Sequence, residues 1–166
     1  MNTAPAGFFS PKANEMDASS KLPFFPSGFI GDVKVAVCKG ITKRDGGERA
    51  FIAELEVLTS NLPAVQVGAK HSWYQGLREP DTAYKACIGF LYACLGLDQT
   101  RDKAKIGAEI KPYQDKFLND AVSDANPLGG RKLRLQTSTI KTKKNTDFTI
   151  HNFTPYVAPA APTVST

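Results

Sequence analysis

The stretch from Gly129 to Phe153 constrains the fold more than any other part of the chain. It contains two runs of alternating side chains, residues 131–136 and 146–153, separated by a polar segment. Successive residues of a β-strand face opposite sides of a sheet, so each run predicts a strand with one face toward a core. In the first run, Leu133 and Leu135 form that face. We predict a β-hairpin with a core face, a basic and aromatic outer face, and a cationic tip.

The second run repeats the pattern, with Phe148 and Ile150 in place of the leucines and Thr149, His151 and Phe153 opposite them. From Arg131 to Asn145 the chain carries six cations and no acid. They are Arg131, Lys132, Arg134, Lys141, Lys143 and Lys144. Cations at such a tip suit a phosphate backbone, because they displace condensed counterions without reading sequence. The alternative is that the lysines only keep sheet edges from pairing with one another.

Length and charge favour one domain with its charge placed in two segments. The 166 residues suffice for one core, and the net charge is +5. Besides the hairpin, residues 32–49 are rich in lysine and arginine. The two ends of the chain are rich in Pro, Ala and Ser and show no helical or strand period. We therefore predict a flexible leader (residues 1–28), a domain (29–156) and a disordered tail (157–166). The phenylalanines of the leader could form an interaction motif for another protein. We favour the alternative, in which residues 22–29 pack against the domain.

Cysteine usage and hydropathy indicate a cytoplasmic protein. Cys38, Cys87 and Cys94 form no CxxC pair, so neither a disulfide framework nor a zinc site is indicated. The first five residues lack the charge and apolar run of a signal peptide. The most apolar stretch, residues 83–97, is shorter than the roughly 20 residues that a bilayer span needs. We therefore expect no membrane contact, and we interpret Cys87 and Cys94 as small core residues.

Three further strands precede a helical region. Residues 30–38 alternate, with Val33, Val35 and Val37 facing one way, and Asp45-Gly46-Gly47 predicts a tight hairpin turn. Residues 49–59 form the return strand, with Phe51, Ala53, Leu55 and Val57 on one face. The third strand is predicted at 65–74, with Gly68 as a bend inside it and Trp73 and Tyr74 facing opposite sides.

The helical region has an apolar part and a polar part. Pro80 suits the first turn of a helix, and residues 83–95 are apolar almost all round, which indicates a deeply packed helix ending at Gly96. Residues 99–124 predict a polar helix divided at Pro112. The order β-β-β-α-β-β predicts a mainly β fold with a helical insertion, the five-stranded Greek-key barrel called the OB-fold. An α+β sheet with helices on one face is the alternative.

The order and character of these elements resemble those of bacteriophage-encoded single-stranded DNA-binding proteins built on one OB-fold. The resemblance covers residues 28–156 and rests on the opening Val33-Lys34-Val35 strand, the Asp45-Gly46-Gly47 turn, the strand ending in Trp73-Tyr74, the apolar helix and the closing hairpin. It implies a role in DNA replication or recombination, with replication or recombination proteins as partners and the host cytoplasm as location. Many such proteins end in an acidic tail that recruits partners, whereas this tail has no acid.

Catalysis has little support in the sequence. His71 and His151 are the only side chains that titrate near neutral pH, and neither lies in a catalytic motif. No phosphate-binding loop, nucleophile elbow or zinc-protease motif occurs. We therefore predict a binding protein that is not an enzyme and needs no cofactor or metal.

Single-strand binding requires cations for the backbone and flat side chains on which bases stack. In an OB-fold the ligand crosses the second and third strands and the loops that join strands one to two and four to five, which are the two cationic segments here. Candidate backbone contacts are Lys34, Lys43, Arg44, Arg49, Lys132, Arg134, Lys141, Lys143 and Lys144. Candidate stacking platforms are Trp73, Tyr74, His151 and Phe153, although each taken singly is more often a core residue.

Two other functions remain open at this stage. The chain could be a structural or assembly protein of a phage particle or replication complex, with the charge giving solubility alone. It could also bind RNA, because OB domains bind both nucleic acids.

Overall fold

A computed structural model describes residues 22–42, 49–76, 80–123, 125–141 and 143–157, without the side chains of residues 41, 42, 49 and 80. The strands are β1 (Ile30–Thr42), β2 (Arg49–Val57), β3 (Lys70–Gly76), β4 (Lys132–Lys141) and β5 (Asp147–Pro155). The helices are α1 (Pro80–Cys94), α2 (Lys103–Lys105) and α3 (Gln114–Ala121), with a π-helical turn (Ile106–Ile110) and a 3-10 turn (Lys111–Tyr113) between the last two.

The strands form one five-stranded sheet in the order β3-β2-β1-β4-β5, and all neighbours are antiparallel. The central strand β1 pairs with β2 along residues 33–42 and with β4 along residues 30–34. The antiparallel pairing of β1 with β2 and of β4 with β5 is confirmed, as is the helical insertion between β3 and β4, so the fold is mainly β with helices inserted. The predicted Asp45-Gly46-Gly47 turn lies outside the described residues. Within the described ranges, no hydrogen-bonded ladder joins the edge strands β3 and β5.

A β-bulge in β1 reverses the predicted alternation of that strand. The register with β2 shifts between Val35 and Val37. An extra residue in one strand turns every following side chain to the other face. As a result Cys38 is buried at 2% exposure, whereas Val37 is only half-buried. The expectation that Val37 continues the face of Val33 and Val35 is wrong for this reason.

The third strand begins five residues later than predicted. Residues 58–69 form turns, in which the amide of Gly68 donates a hydrogen bond to the carbonyl of Val57 at 2.8 Å. The φ of Gly68 is +89°, in the left-handed region that glycine adopts without strain. The glycine therefore belongs to the turn before β3 rather than to a bend inside the strand. Val65 nevertheless reaches the core and is 1% exposed.

The core lies between the inner face of the sheet and α1. The ring of Phe90 on α1 lies 5.7 Å from that of Phe51, 5.3 Å from that of Trp73 and 5.0 Å from that of Phe153. These rings belong to β2, β3 and β5, so Phe90 packs against both edge strands and against β2. Cys87 and Cys94 are buried core residues, as predicted.

The helical insertion is held to α1 by a buried polar chain. The hydroxyl of Tyr92 donates to Oε1 of Gln114 at 2.7 Å, and Nε2 of Gln114 donates to the hydroxyl of Tyr84 at 3.0 Å. The Tyr84 hydroxyl in turn donates to Asp115. These bonds satisfy the polar atoms of side chains that would otherwise be costly to bury. The division of the polar helix at Pro112 is confirmed, since this residue lies in the 3-10 turn before α3.

The segment that precedes β1 packs across one end of the sheet. Phe25 is 3% exposed, and its ring lies 5.0 Å from that of His71 on β3. Thr137 on β4 anchors the other side of the segment. Its hydroxyl donates to the carbonyl of Pro26 at 2.6 Å and accepts the amide of Phe29 at 2.9 Å. The predicted packing of residues 22–29 against the domain is confirmed.

Candidate nucleic-acid interface

The β4 strand of the closing hairpin separates apolar from basic side chains as predicted. Leu133 and Leu135 are completely buried, whereas Lys132 and Arg134 are exposed on the outer face. The ammonium of Lys132 lies 5.4 Å from the ring centroid of Tyr156, within cation–π range. The outer face of β4 therefore presents positive charge to solvent while its inner face forms part of the core.

The β5 strand has the opposite orientation from the one expected. Phe153 faces Leu135 across the ladder and His151 faces Thr137, so both lie on the core side of the sheet. Phe148 is 56% exposed instead of buried. An alternating run contains two candidate faces, and the register set by the turn decides which one meets the core. The predicted outer position of His151 and Phe153 is wrong for this reason.

The tip of the hairpin combines exposed apolar side chains with exposed cations. Ile140 and Phe148 face each other across the ladder and are 45% and 56% exposed. Lys143 and Lys144 are exposed in the turn and take part in none of the ion pairs of the described residues. We call these four residues the hairpin tip. Neither Ile140 nor Phe148 is among the predicted site residues. Their exposure depends on the length of the turn and on the register of the two strands, which the sequence pattern does not give.

Three of the other candidate cations have acidic partners. Lys141 lies 2.7 Å from Asp147 at the base of the turn. The remaining two pairs are on the outer face of the sheet, where Lys34 lies 3.2 Å from Glu56, and Arg134 lies 3.4 Å from Asp32. These pairs are partly exposed, so each contributes little to stability, but the carboxylate reduces the positive potential that a phosphate would meet.

The second cationic segment lies partly outside the described residues. Lys43 and Arg44 lie outside the described residues, as does the side chain of Arg49. Ile30, at the start of β1, faces Gln136 in the antiparallel strand β4. Because the two strands run in opposite directions, Thr42 and Lys141, at which β1 and β4 end, lie beyond opposite ends of the ladder that joins these strands. A ligand path common to both turns stays a prediction.

The neighbouring aromatic residues of β3 divide between the two faces, as predicted. Trp73 is 3% exposed and belongs to the core, which excludes it as an exposed stacking platform. Tyr74 is half-buried on the opposite face, where it packs against Ile52. The ring of Tyr74 also lies 6.4 Å from that of Phe24. Of the four predicted platforms, Tyr74 alone lies on the outer face of the sheet.

A cleft of about 280 Å³ lies between the edge strands β3 and β5. We call it the seam cleft; the residues lining it are Trp73, Tyr74, Gln75, Thr82, Ala86, Phe148, Thr149, Ile150 and His151. Burial lowers the pKa of His151 to about 4, so its ring is neutral at pH 7. Its Nε2 atom is buried and has no hydrogen-bond partner among the described groups. The lining is therefore uncharged at pH 7 and includes four aromatic rings, and Phe148 connects the cleft to the hairpin tip.

Comparison with known proteins does not place the chain in a family. No family model and no curated protein matches it. Among the residues described, no helix has the length and hydropathy needed to cross a bilayer. In the same ranges no group of three histidine, cysteine or acidic side chains is positioned to hold a metal ion.

Proposed function

We propose that the chain is a sequence-nonspecific single-stranded DNA-binding protein and that the strand crosses the hairpin tip. The observation that carries the proposal is the juxtaposition on one hairpin of an exposed phenylalanine, Phe148, with Lys143 and Lys144, which form no ion pair with the described residues. A cationic groove that follows the backbone, together with an aromatic ring on which a base can stack, is the combination that binds single strands without regard to sequence.

The exposed pair of Ile140 and Phe148 supports a nucleic-acid ligand over simple solubility. Lysines that only protect a sheet edge need no apolar side chains beside them, and solvent-exposed phenylalanine has a cost in water. A base stacked on Phe148 would remove its ring from water, while Lys143 and Lys144 pair with the flanking phosphates. The tip thus offers both kinds of contact within one turn of the chain.

We further propose that the sheet is an OB-type barrel. The strand order supports this, because bringing β3 next to β5 would close the sheet in the OB arrangement. The approach of the edge strands supports it too, since the rings of Trp73 and Phe153 lie 4.7 Å apart. In such a barrel the loop between β4 and β5 is one wall of the ligand groove. The biological role would be to protect single strands during phage DNA replication or recombination.

The decisive experiment is a salt titration of binding to a fluorescent oligo-dT, measured by anisotropy. Each lost phosphate contact reduces the slope of log K against log salt by about 0.7 for single strands. The double variant Lys143→Gln/Lys144→Gln should therefore bind more weakly and flatten the slope by about 1.4. The matched control Lys103→Gln/Lys105→Gln removes the same charge from the exposed helix α2 and should leave the slope nearly unchanged.

Two outcomes would contradict the proposal. Equal slopes for the hairpin variant and the wild-type protein would show that the tip does not contact phosphate. Absence of binding to oligo-dT at high micromolar protein and low salt would favour a structural or assembly protein. Matched RNA and DNA oligonucleotides in competition decide which nucleic acid is preferred, because an RNA-binding protein can recognise the 2′-hydroxyl.

A further inference from the structure

The seam cleft is placed where a strand bound at the hairpin tip would pass. Phe148 belongs to both features, exposed at the tip and forming one wall of the cleft. Tyr74 lines the cleft from β3, on the opposite edge of the sheet. Two aromatic side chains from different edge strands thus line one opening. Such walls are typical of sites that hold a flat ring between them.

The size and chemistry of the cleft limit what can occupy it. Its volume of about 280 Å³ is just below the range of clefts that hold drug-sized ligands, roughly 300 to 1,000 Å³. The described residues that line it carry no charge at pH 7, because His151 is neutral there. A phosphate or a metal ion would therefore lack a counter-charge in the cleft. One planar, uncharged, heteroaromatic ring fits the volume and the walls.

Polar side chains line the cleft beside its aromatic walls. The Nε2 atom of Gln75 donates to the carbonyl of Gly76 at 3.2 Å, while its Oε1 accepts no hydrogen bond in the described part of the chain. Thr149 brings a hydroxyl to the same lining, and the buried Nε2 of His151 has no hydrogen-bond partner among the described groups. Unsatisfied polar atoms beside aromatic walls favour a ligand with hydrogen-bonding groups at its rim, as nucleobases have.

We propose that the seam cleft takes one unstacked base of the bound single strand, held between Tyr74 and Phe148, with Gln75 and Thr149 at its edge. This inference rests on the proposed function but goes beyond it, since the tip alone would bind a strand without any base pocket. A base in the cleft would be fixed by both stacking and hydrogen bonds. The bound strand would therefore have one position that contributes more than its neighbours to affinity.

The only tryptophan of the chain, Trp73, lines the cleft and provides the readout. We would titrate the full-length protein with fluorescent oligo-dT and follow anisotropy and tryptophan emission in parallel. The cleft is then filled by Ala86→Leu, on the α1 wall, which removes no charge and leaves the hairpin tip intact. The matched control Ala104→Leu makes the same change at an exposed position of α2.

We expect oligonucleotide binding to change the emission of the wild-type protein. Ala86→Leu should weaken binding by about 5- to 150-fold, the range for losing one stacked base, with the salt slope unchanged. Ala104→Leu should bind like the wild-type protein. Circular dichroism checks that both variants fold. Oligonucleotides with a single abasic site, moved stepwise along the strand, give a second test that needs no variant, and one position should weaken binding most.

The results separate this inference from the function on which it rests. If the wild-type protein binds oligo-dT but its emission is constant and all abasic positions are equivalent, the base pocket is wrong and the tip remains the binding site. Unchanged affinity of a folded Ala86→Leu variant would also overturn the pocket. If no oligonucleotide changes the anisotropy, the proposed function itself fails.

Discussion

The ring of Trp73 on β3 lies 4.7 Å from the ring of Phe153 on β5, so the two edge strands of the sheet meet through side chains. No ladder joins these strands in the described ranges, and the contact between them is aromatic. Phe90 of α1 packs edge-on against Phe153 and completes the cluster. The C-terminal end of β5, at Phe153, therefore packs against the core, whereas its N-terminal end, at Phe148, is exposed.

This difference along β5 predicts opposite effects of the same substitution on stability. Phe153→Ala removes a ring from the aromatic cluster and should lower the free energy of unfolding by about 3 kcal/mol, at the lower end of the core range because the residue is half-buried. Phe148→Ala removes an exposed ring and should cost less than about 1 kcal/mol. Urea unfolding followed by circular dichroism measures both, and equal losses would contradict the assignment of faces.

The two phenylalanines should differ in the reverse sense for binding. Phe148→Ala should weaken binding to oligo-dT by about 1 to 3 kcal/mol, because a stacked base loses its partner. The control Val67→Ala shortens a side chain of similar exposure, 66%, in the turn before β3. Fluorescence anisotropy at fixed salt compares them. Wild-type affinity in Phe148→Ala would exclude stacking at the tip.

Thr137 should hold the segment before β1 on the sheet. Thr137→Val keeps the shape of the side chain but leaves the buried amide of Phe29 and the carbonyl of Pro26 without their partner. The expected loss is about 1 to 3 kcal/mol in the free energy of unfolding, with faster amide hydrogen exchange at Phe29. Thr139→Val, two residues further along β4 at an exposed position, should change neither quantity.

Stability should fall in mild acid because of His151. Burial lowers the pKa of His151 from its ordinary value of 6.5 to about 4, so between these values the unfolded chain binds a proton that the folded chain does not. The stability that the protein has with a neutral His151 ring is therefore fully present above pH 6.5 and is lost as the pH falls toward 4. The loss should be of the order of 1 to 3 kcal/mol.

Urea unfolding at pH 7 and pH 4.5 tests this dependence, with His151→Asn as the comparison. Carboxylates titrate in both proteins, so the difference between their pH profiles isolates the imidazole. NMR titration of the His151 ring gives the pKa directly. A pKa near 6.5 in the folded protein would rule out the proposed burial of the neutral ring.

Local patterns located most elements because they are local consequences of sequence. Alternation in β2 placed Phe51 and Leu55 in the core, and the order of strands and helix gave the hairpins and the insertion. The helix α1 begins at Pro80, because proline suits a first helical turn. It ends just before Gly96, because glycine adopts the positive φ found after a helix end, here +74°. These signals need no knowledge of distant contacts.

The candidate site was less predictable, because its residues are defined by register. The charges of Lys143 and Lys144 could be assigned to a tip from sequence, whereas their lack of ionic partners in the described part of the chain could not. Nothing in the alternation of β5 says that Phe148 faces solvent and Phe153 faces the core. A shift of one residue in pairing exchanges the two faces of a strand.

By itself, the sequence determined the kinds of elements, their order and the concentration of positive charge in the closing hairpin. Those properties depend on side-chain periodicity and on the backbone preferences of glycine and proline, which act over a few residues. The tertiary structure alone decided that Val37 leaves the core at a bulge, that Phe148 is exposed, and that β3 and β5 enclose a cleft. Each of these depends on how strands distant in sequence pair and pack, where the burial of one face sets the register of the whole sheet.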